Sequence, residues 1–257
     1  MLDQGLKEGV SLSVDDRGVA FVTFAHPRSN SLPGAVLASL AETLNGLAGR
    51  TDVKVVVLGS SGDRAFCAGA SFDELVAISN EEEGLRFFMG FANVINACRH
   101  LPQLVIGRVQ GKAVGGGVGV AAATDYCLAT RFAAVKLSEL AVGIGPFVVG
   151  PAVERKLGVS SMSQLAIDAS EWRSAEWAEQ HGLYAGVFDD AAAMDAEVEA
   201  LAGRLAASNP DAMAELKKVF WAGTDHWDSL LNERAAISGR LVLSDFTREA
   251  IARFKAG

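Results

Sequence analysis

The sequence predicts an α/β protein: a core of repeated strand–turn–helix units followed by a helical C-terminal region. Three observations carry that prediction. Runs of β-branched and apolar residues, VKVVVL at 53–58 and QLVIGRV at 103–109, each lead into a glycine- and alanine-rich turn and then into helical spacing. The unit recurs at VKVVVLGSSGDRAFCAGASFDEL, QLVIGRVQGKAVGGGVGVAAA and VKLSELAVGIGPFVVGPAVERKL, and repeats of one supersecondary unit stack as turns of a coil. From about Ser160 helical periodicity takes over. The chain is accordingly divided into a core, 1–195, and a helical region, 196–257.

The elements follow in order. Val10–Val14 and Val19–Phe24 alternate around Asp15-Asp16-Arg17-Gly18, a hairpin signal. The loop HPRSNSLPG follows, and Pro33 opens a helix, Pro33–Ala48, with Val36, Leu37, Leu40, Leu44 and Leu47 at helical spacing. Val53–Leu58 is a buried strand; a helix starts near Ser71 and a longer one spans Glu82–Leu101. Gln103–Val109 is the central strand, Tyr126–Ala129 another, and Val135–Leu137 a short one leading through SELAVGIGP into a short helix. Ser174–His181 is a helix stopped by Gly182, and Tyr184–Phe188 reads as a strand. Ala191–Ala207, Pro210–Trp221, Trp227–Leu243 and Asp245–Phe254 are helices, with Asn209-Pro210 separating two of them.

Composition narrows the function classes. Half of the 257 residues are hydrophobic, enough for a sizeable core, but no apolar run reaches the roughly 18 residues of a membrane span. The N-terminus lacks a basic region followed by an apolar one, so no secretion signal is read. Cys67, Cys98 and Cys127 have no metal-like spacing and sit in apolar surroundings, as reduced thiols of a cytoplasmic protein do. A net charge of −8 without a basic run argues against nucleic acid as a partner. An anionic small ligand stays open, because helix N-termini and a few local cations can bind one.

The chemistry concentrates in Gln110–Thr124, QGKAVGGGVGVAAAT. Gly115, Gly116 and Gly117 form a turn at a helix start, where free N–H groups and the positive end of the helix dipole can hold an anion, or an oxygen that becomes one during a reaction. The competing reading is tight helix packing. AFCAGAS, Ala65–Ser71, is a second turn of this kind, and Glu139 precedes a third glycine loop. Two such turns can each give one N–H to a single oxygen, and a nearby carboxylate can act as acid or base on the adjacent carbons.

At these residues the sequence resembles the crotonase family, also called the enoyl-CoA hydratase/isomerase superfamily. AFCAGASFDEL is similar to its AFCAGAD-type loop, GKAVGGGVGVAAATDYCLAT to its GxxxGGGxxLAxxCDxxxA segment, and HPRSNSL to its early proline-containing loop. The resemblance covers essentially the whole chain and is nearest to bacterial enoyl-CoA or methylglutaconyl-CoA hydratase-like proteins. It implies a spiral of ββα turns with a helical C-terminal oligomerisation region, assembled as a homo-trimer or hexamer, and an acyl-CoA thioester as substrate. It implies no metal and no cofactor beyond the coenzyme A of the substrate. By the same resemblance the oxyanion donors are Ala70 and Gly116. Ala68, Gly69, Phe72, Gly115, Gly119 and Phe147 fall in the CoA- and acyl-binding segments, Arg28 lies where the family places a cation near CoA, and Lys255 could reach a phosphate.

Two departures bear on the reaction. Family hydratases carry two catalytic glutamates. One position is Gly119 here; the other is Glu139, whose apolar neighbours Leu137, Leu140 and Val142 should raise its pKa. Phe147, Val148 and Val149 are bulkier than the family's usual residues, so the acyl pocket is reshaped. Ser71 replaces an aspartate, and Asp73 stands where many members are basic. Hydration of a 2-enoyl thioester is the leading expectation. The alternatives are double-bond isomerisation by Glu139 alone, acyl-CoA decarboxylation through the same enolate, and a non-catalytic acyl-CoA-binding protein. Cys67, Asp125, the four histidines and the four tryptophans read as structural, and Asp73 and Glu74 as a solvated first helical turn.

Overall fold

The computed structural model describes residues 1–253 in full and the backbone of 254–256 as the end of the last helix. The side chain of Lys255 lies outside the described residues. The order is β1 (Gly9–Val14), β2 (Val19–Ala25), α1 (Gly34–Leu47), β3 (Val55–Ser60), α2 (Phe72–Ala77), α3 (Glu81–His100), β4 (Leu104–Val109), β5 (Ala113–Val114), α4 (Gly116–Ala122), β6 (Tyr126–Thr130) and β7 (Val135–Lys136). A 3-10 turn, Leu140–Val142, follows, then α5 (Gly150–Ile167), α6 (Ala175–Gln180), β8 (Gly186–Phe188), α7 (Ala191–Ala206), α8 (Pro210–Phe220), α9 (Trp227–Leu241) and α10 (Asp245–Ala256).

Six strands form one sheet in the order β1-β2-β3-β4-β6-β8, with β1 antiparallel to β2 and the remaining pairs parallel. β2 and β3 are buried along their whole length because both sheet faces are covered. One face, through Val22, Phe24, Val56 and Leu58, meets the main core with α1 and α3. The other, through Val19, Phe21, Val55 and Val57, meets Met194, Val198, Ala202 and Ala206 of α7. The division drawn at 195/196 therefore falls inside α7, a helix that closes the sheet, and not between elements.

A second, shorter ladder explains the spiral. Leu32 bridges Ala70, Cys67 bridges Ala113, β5 pairs with β7, and Val135 bridges Arg173. Each turn of chain thus gives a long strand to the large sheet, a short extended piece to the small one, and then a helix. The third sequence repeat was aligned on the short piece, β7; its long strand is β6, YCLAT. The first turn, β2 to Leu32 to α1, has no glycine-rich signature and is invisible in the repeat.

Boundaries move by one or two residues. β3 starts at Val55, because Val53 is drawn into the turn after α1 by its N–H to the Arg50 carbonyl, 3.3 Å. The helix after SELAVGIGP is longer than expected, and it breaks at Gly158 (φ 73°, ψ 162°) into two helical pieces.

Candidate active site

The small ladder brings the two glycine-rich turns side by side. Val114 N–H donates to the Cys67 carbonyl at 2.9 Å, and Gly115 N–H to the Lys136 carbonyl at 2.8 Å. Gly115 then takes φ 51°, ψ −115°, a backbone state that side-chain-bearing residues avoid. That reversal starts α4 and leaves the Gly116 N–H at its first turn without an intrahelical acceptor. On the other turn the Gly69 carbonyl accepts from Leu32 N–H at 2.8 Å, and the Ala68 N–H is used by the Ser29 carbonyl at 3.1 Å. Among the described residues, neither the Ala70 N–H nor the Gly116 N–H donates to a protein acceptor. The turns are in contact: a Cβ on Gly69 would lie 3.9 Å from Gly116 N.

Glu139 faces these turns. Its carbonyl accepts from Ile144 N–H at 2.9 Å, which fixes the 3-10 turn. Its carboxyl lies against Gly115, where a Cβ would sit 2.9 Å from Oε1. The residue is partly exposed as a whole, yet Oε2 is sealed from solvent and has no hydrogen-bond partner. Burial raises its pKa from 4.5 to about 7, opposed weakly by its own backbone N–H. Leu137 and Val142 are buried as expected, whereas Leu140 is half exposed and contributes less to that drying.

Ala68, Gly69, Ala70, Phe72, Gly115, Gly116, Glu139 and Phe147 line one cavity of about 60 Å³, several times the volume one water needs. Gly119 is not among them. It faces Val149, and a Cβ there would lie 2.4 Å from Val149 Cγ1, so the place a second glutamate would occupy is already filled. Arg28 is exposed outside the cavity and pairs with Asp73 at 3.0 Å. Asp73 and Glu74 do stand in the first turn of α2, as the sequence suggests, and Glu74 also accepts from Gly34 N–H at 2.8 Å and so caps α1.

Cys67 packs beneath Gly117, and burial pushes its thiol to about 12, which suits packing and not nucleophilic attack. The histidines stand apart from the cavity: His26 bonds Ser31 at 2.8 Å, and His181 stacks on Trp177.

Sequence reasoning missed several residues that shape the site. Asn30 Nδ2 donates to the Ser61 carbonyl at 2.9 Å and the Ala65 carbonyl at 3.0 Å, tying the early loop to the AFCAGAS turn. Phe91 of α3 lies on Gly116, where a Cβ would meet its ring at 2.1 Å. Phe88 and Ser238 also line the cavity, beside Val148 and Val149, whose bulk the sequence does flag. Phe87, Phe88 and Phe91 announce a buried helix face by their spacing, but nothing in the sequence says that the face is a pocket wall.

The family described as enoyl-CoA hydratase/isomerase matches residues 15–251. An enoyl-CoA hydratase from Mycobacterium avium subsp. paratuberculosis K-10 superposes with a TM-score of 0.85 at 29% identity, covering 98% of this chain and 97% of that one. An enoyl-CoA hydratase from Mycobacterium smegmatis superposes with a TM-score of 0.78 at 30% identity, covering 96% of each chain. Ethylmalonyl-CoA decarboxylase of Xenopus laevis is 31% identical over 139 residues, 53% of this chain and 46% of the relative. The chain thus spans about half the length of that curated relative.

Proposed function

The chain belongs to the enoyl-CoA hydratase/isomerase family, and from that premise we propose that it is an enoyl-CoA isomerase, moving the double bond of a 3-enoyl-CoA thioester to the 2-position through an enolate. One observation carries the choice within the family: among the described residues Glu139 is the one carboxyl group lining the cavity, and Val149 occupies the space over Gly119 where a second would stand. A single carboxyl balances a 1,3-proton shift by itself. The Glu139 carboxylate takes a proton from C2, and the electron pair moves onto the thioester oxygen, held by the Ala70 and Gly116 N–H groups. Neutral Glu139 returns the proton to C4, and the conjugated product leaves. A carboxyl with a pKa of about 7 is matched to both halves of that cycle near neutrality.

The coenzyme A moiety fits the outer turn. Among the described residues the Ala68 carbonyl accepts no hydrogen bond and is free to take one from an adenine amine. Arg28 supplies a cation in the neighbouring loop, although Asp73 competes for it. Assembly as a homo-trimer or hexamer in the cytoplasm belongs to the same proposal.

Hydration is the second reading, supported by the two mycobacterial hydratases of similar fold and length. It asks for a group that holds water against C3, and beside Glu139 the polar side chains lining the cavity are Ser138 and Ser238. Mass spectrometry of 2-enoyl-, 3-enoyl- and malonyl-type CoA thioesters incubated with the protein in heavy-oxygen water separates the readings. A shifted alkene without heavy oxygen is the expected product. Heavy oxygen in a 3-hydroxyacyl product replaces isomerisation with hydration, loss of carbon dioxide replaces it with decarboxylation, and no turnover leaves a binding protein.

A further inference from the structure

We propose that Ser238 is a specificity-determining residue of the acyl pocket, its hydroxyl selecting acyl groups that carry an uncharged oxygen. The inference rests on the CoA-thioester reading above but not on which reaction follows. Ser238 belongs to α9, is 1% exposed, and lines the cavity. Around it the wall is apolar, with Leu75, Phe88, Phe91, Val142 and Val148. α9 reaches so far in because α3 and α9 cross at Gly84 and Gly239, where a Cβ on Gly239 would come within 2.6 Å of Leu85 N.

The Ser238 carbonyl accepts from Val242 N–H at 3.0 Å, but among the described residues the hydroxyl has no hydrogen-bond partner. A helical serine has a ready acceptor in the carbonyl one turn back. Ser238 does not take it, so its hydroxyl keeps both donor and acceptor capacity. At the cavity wall that hydroxyl can pair with an oxygen of the ligand.

Charge sets the kind of oxygen. Among the described residues no lysine or arginine lines the cavity, and Glu139 is already driven toward its neutral form by desolvation. A substrate carboxylate would be a second dry anion without a counter-charge. A hydroxyl or carbonyl avoids that cost and completes Ser238. Sites built to hydrogen-bond a substrate oxygen reject analogues lacking it more strongly than apolar pockets reject an added one.

Calorimetry with unreactive saturated thioesters tests this without depending on turnover. Valeryl-CoA, 5-hydroxyvaleryl-CoA and glutaryl-CoA would be titrated into the wild-type protein and Ser238→Ala, with circular dichroism confirming that the variant keeps its fold. The expected result is 5-hydroxyvaleryl-CoA binding about five- to tenfold tighter than valeryl-CoA in the wild type, with the preference lost in the variant. Equal wild-type binding, or a preference that survives Ser238→Ala, overturns the assignment to Ser238. Glutaryl-CoA binding tightest overturns the uncharged class. Failure of all three thioesters to bind overturns the coenzyme A reading itself, and this inference with it.

Discussion

At the scale of the residue, the role proposed for Glu139 as the base makes its behaviour with pH predictable. The base must be ionised in the free protein. For isomerisation, kcat/KM should therefore rise tenfold per pH unit below about 7 and level off above it. A neutral acid that protonates an enolate after loss of carbon dioxide would give the opposite slope. Glu139→Gln should lower kcat by roughly 10²- to 10⁴-fold with thioester binding changed by no more than a few-fold. Stability moves the other way. The folded-state pKa, about 7, lies above the ordinary 4.5, so the folded protein binds the proton more tightly and loses stability as pH rises between the two values. Above pH 7 that loss amounts to roughly 3 kcal/mol. Glu139→Gln should melt higher than the wild type at pH 8, with the gap closing toward pH 5; a constant gap would mean the carboxyl is not desolvated. The sequence reads this residue well because its motif is local and its neighbours Leu137 and Val142 are adjacent in the chain. It reads the pocket wall poorly, since Phe91 and Ser238 join Glu139 and Gly116 in the cavity lining only through tertiary packing.

At the scale of the element, strands and helices were legible wherever a run was long enough to show a period. The short ladder was not, because single bridges such as Cys67 to Ala113 have no periodicity to detect. Yet that ladder is what sets the two turns next to each other. A second hidden feature anchors α8. Lys217, in its last turn, is 2% exposed and reaches Asp125 at 2.9 Å and the Gln103 carbonyl at 2.8 Å. Asp125 also accepts from Trp221 Nε1 at 2.8 Å and from Val105 N–H at 2.7 Å. One carboxylate thus joins the end of α4, the start of β4 and the C-terminal part of α8. The structural role expected for Asp125 is present, with partners that sequence spacing could not name. Removing either charge strands the other in the interior. Asp125→Ala and Lys217→Met should each cost about 3–5 kcal/mol in urea denaturation, and the double variant much less than their sum. Single losses below about 1 kcal/mol would show that water replaces the missing partner.

At the scale of the whole molecule, the helical C-terminal region is woven into the core and is not an appendage. α7 covers one face of the large sheet, and α9 lies along α3. Arg99 of α3, 8% exposed, donates to Asp228 of α9 at 2.9 Å. α10 rests on the 3-10 turn after Glu139, where Phe246 meets Gly143. A continuous chain of contact runs from α9 through α3 and Phe91 to Gly116. Unfolding should therefore be a single cooperative event: in a Trp172→Phe/Trp177→Phe background, tryptophan fluorescence, which then reports Trp221 and Trp227 of the C-terminal part, and far-ultraviolet circular dichroism, which reports the whole backbone, should give coincident urea transitions. Gly239→Ala sharpens the test. A Cβ there would sit 2.6 Å from Leu85 N, a backbone atom that can give way only if the helices part. Overpacking of that kind costs roughly 1–3 kcal/mol. Because the crossing also carries Phe91 and Ser238 into the cavity, turnover should fall together with the midpoint of both probes. Two separated transitions, or a variant that shifts the fluorescence signal while turnover is kept, would instead make the C-terminal helices an independent unit.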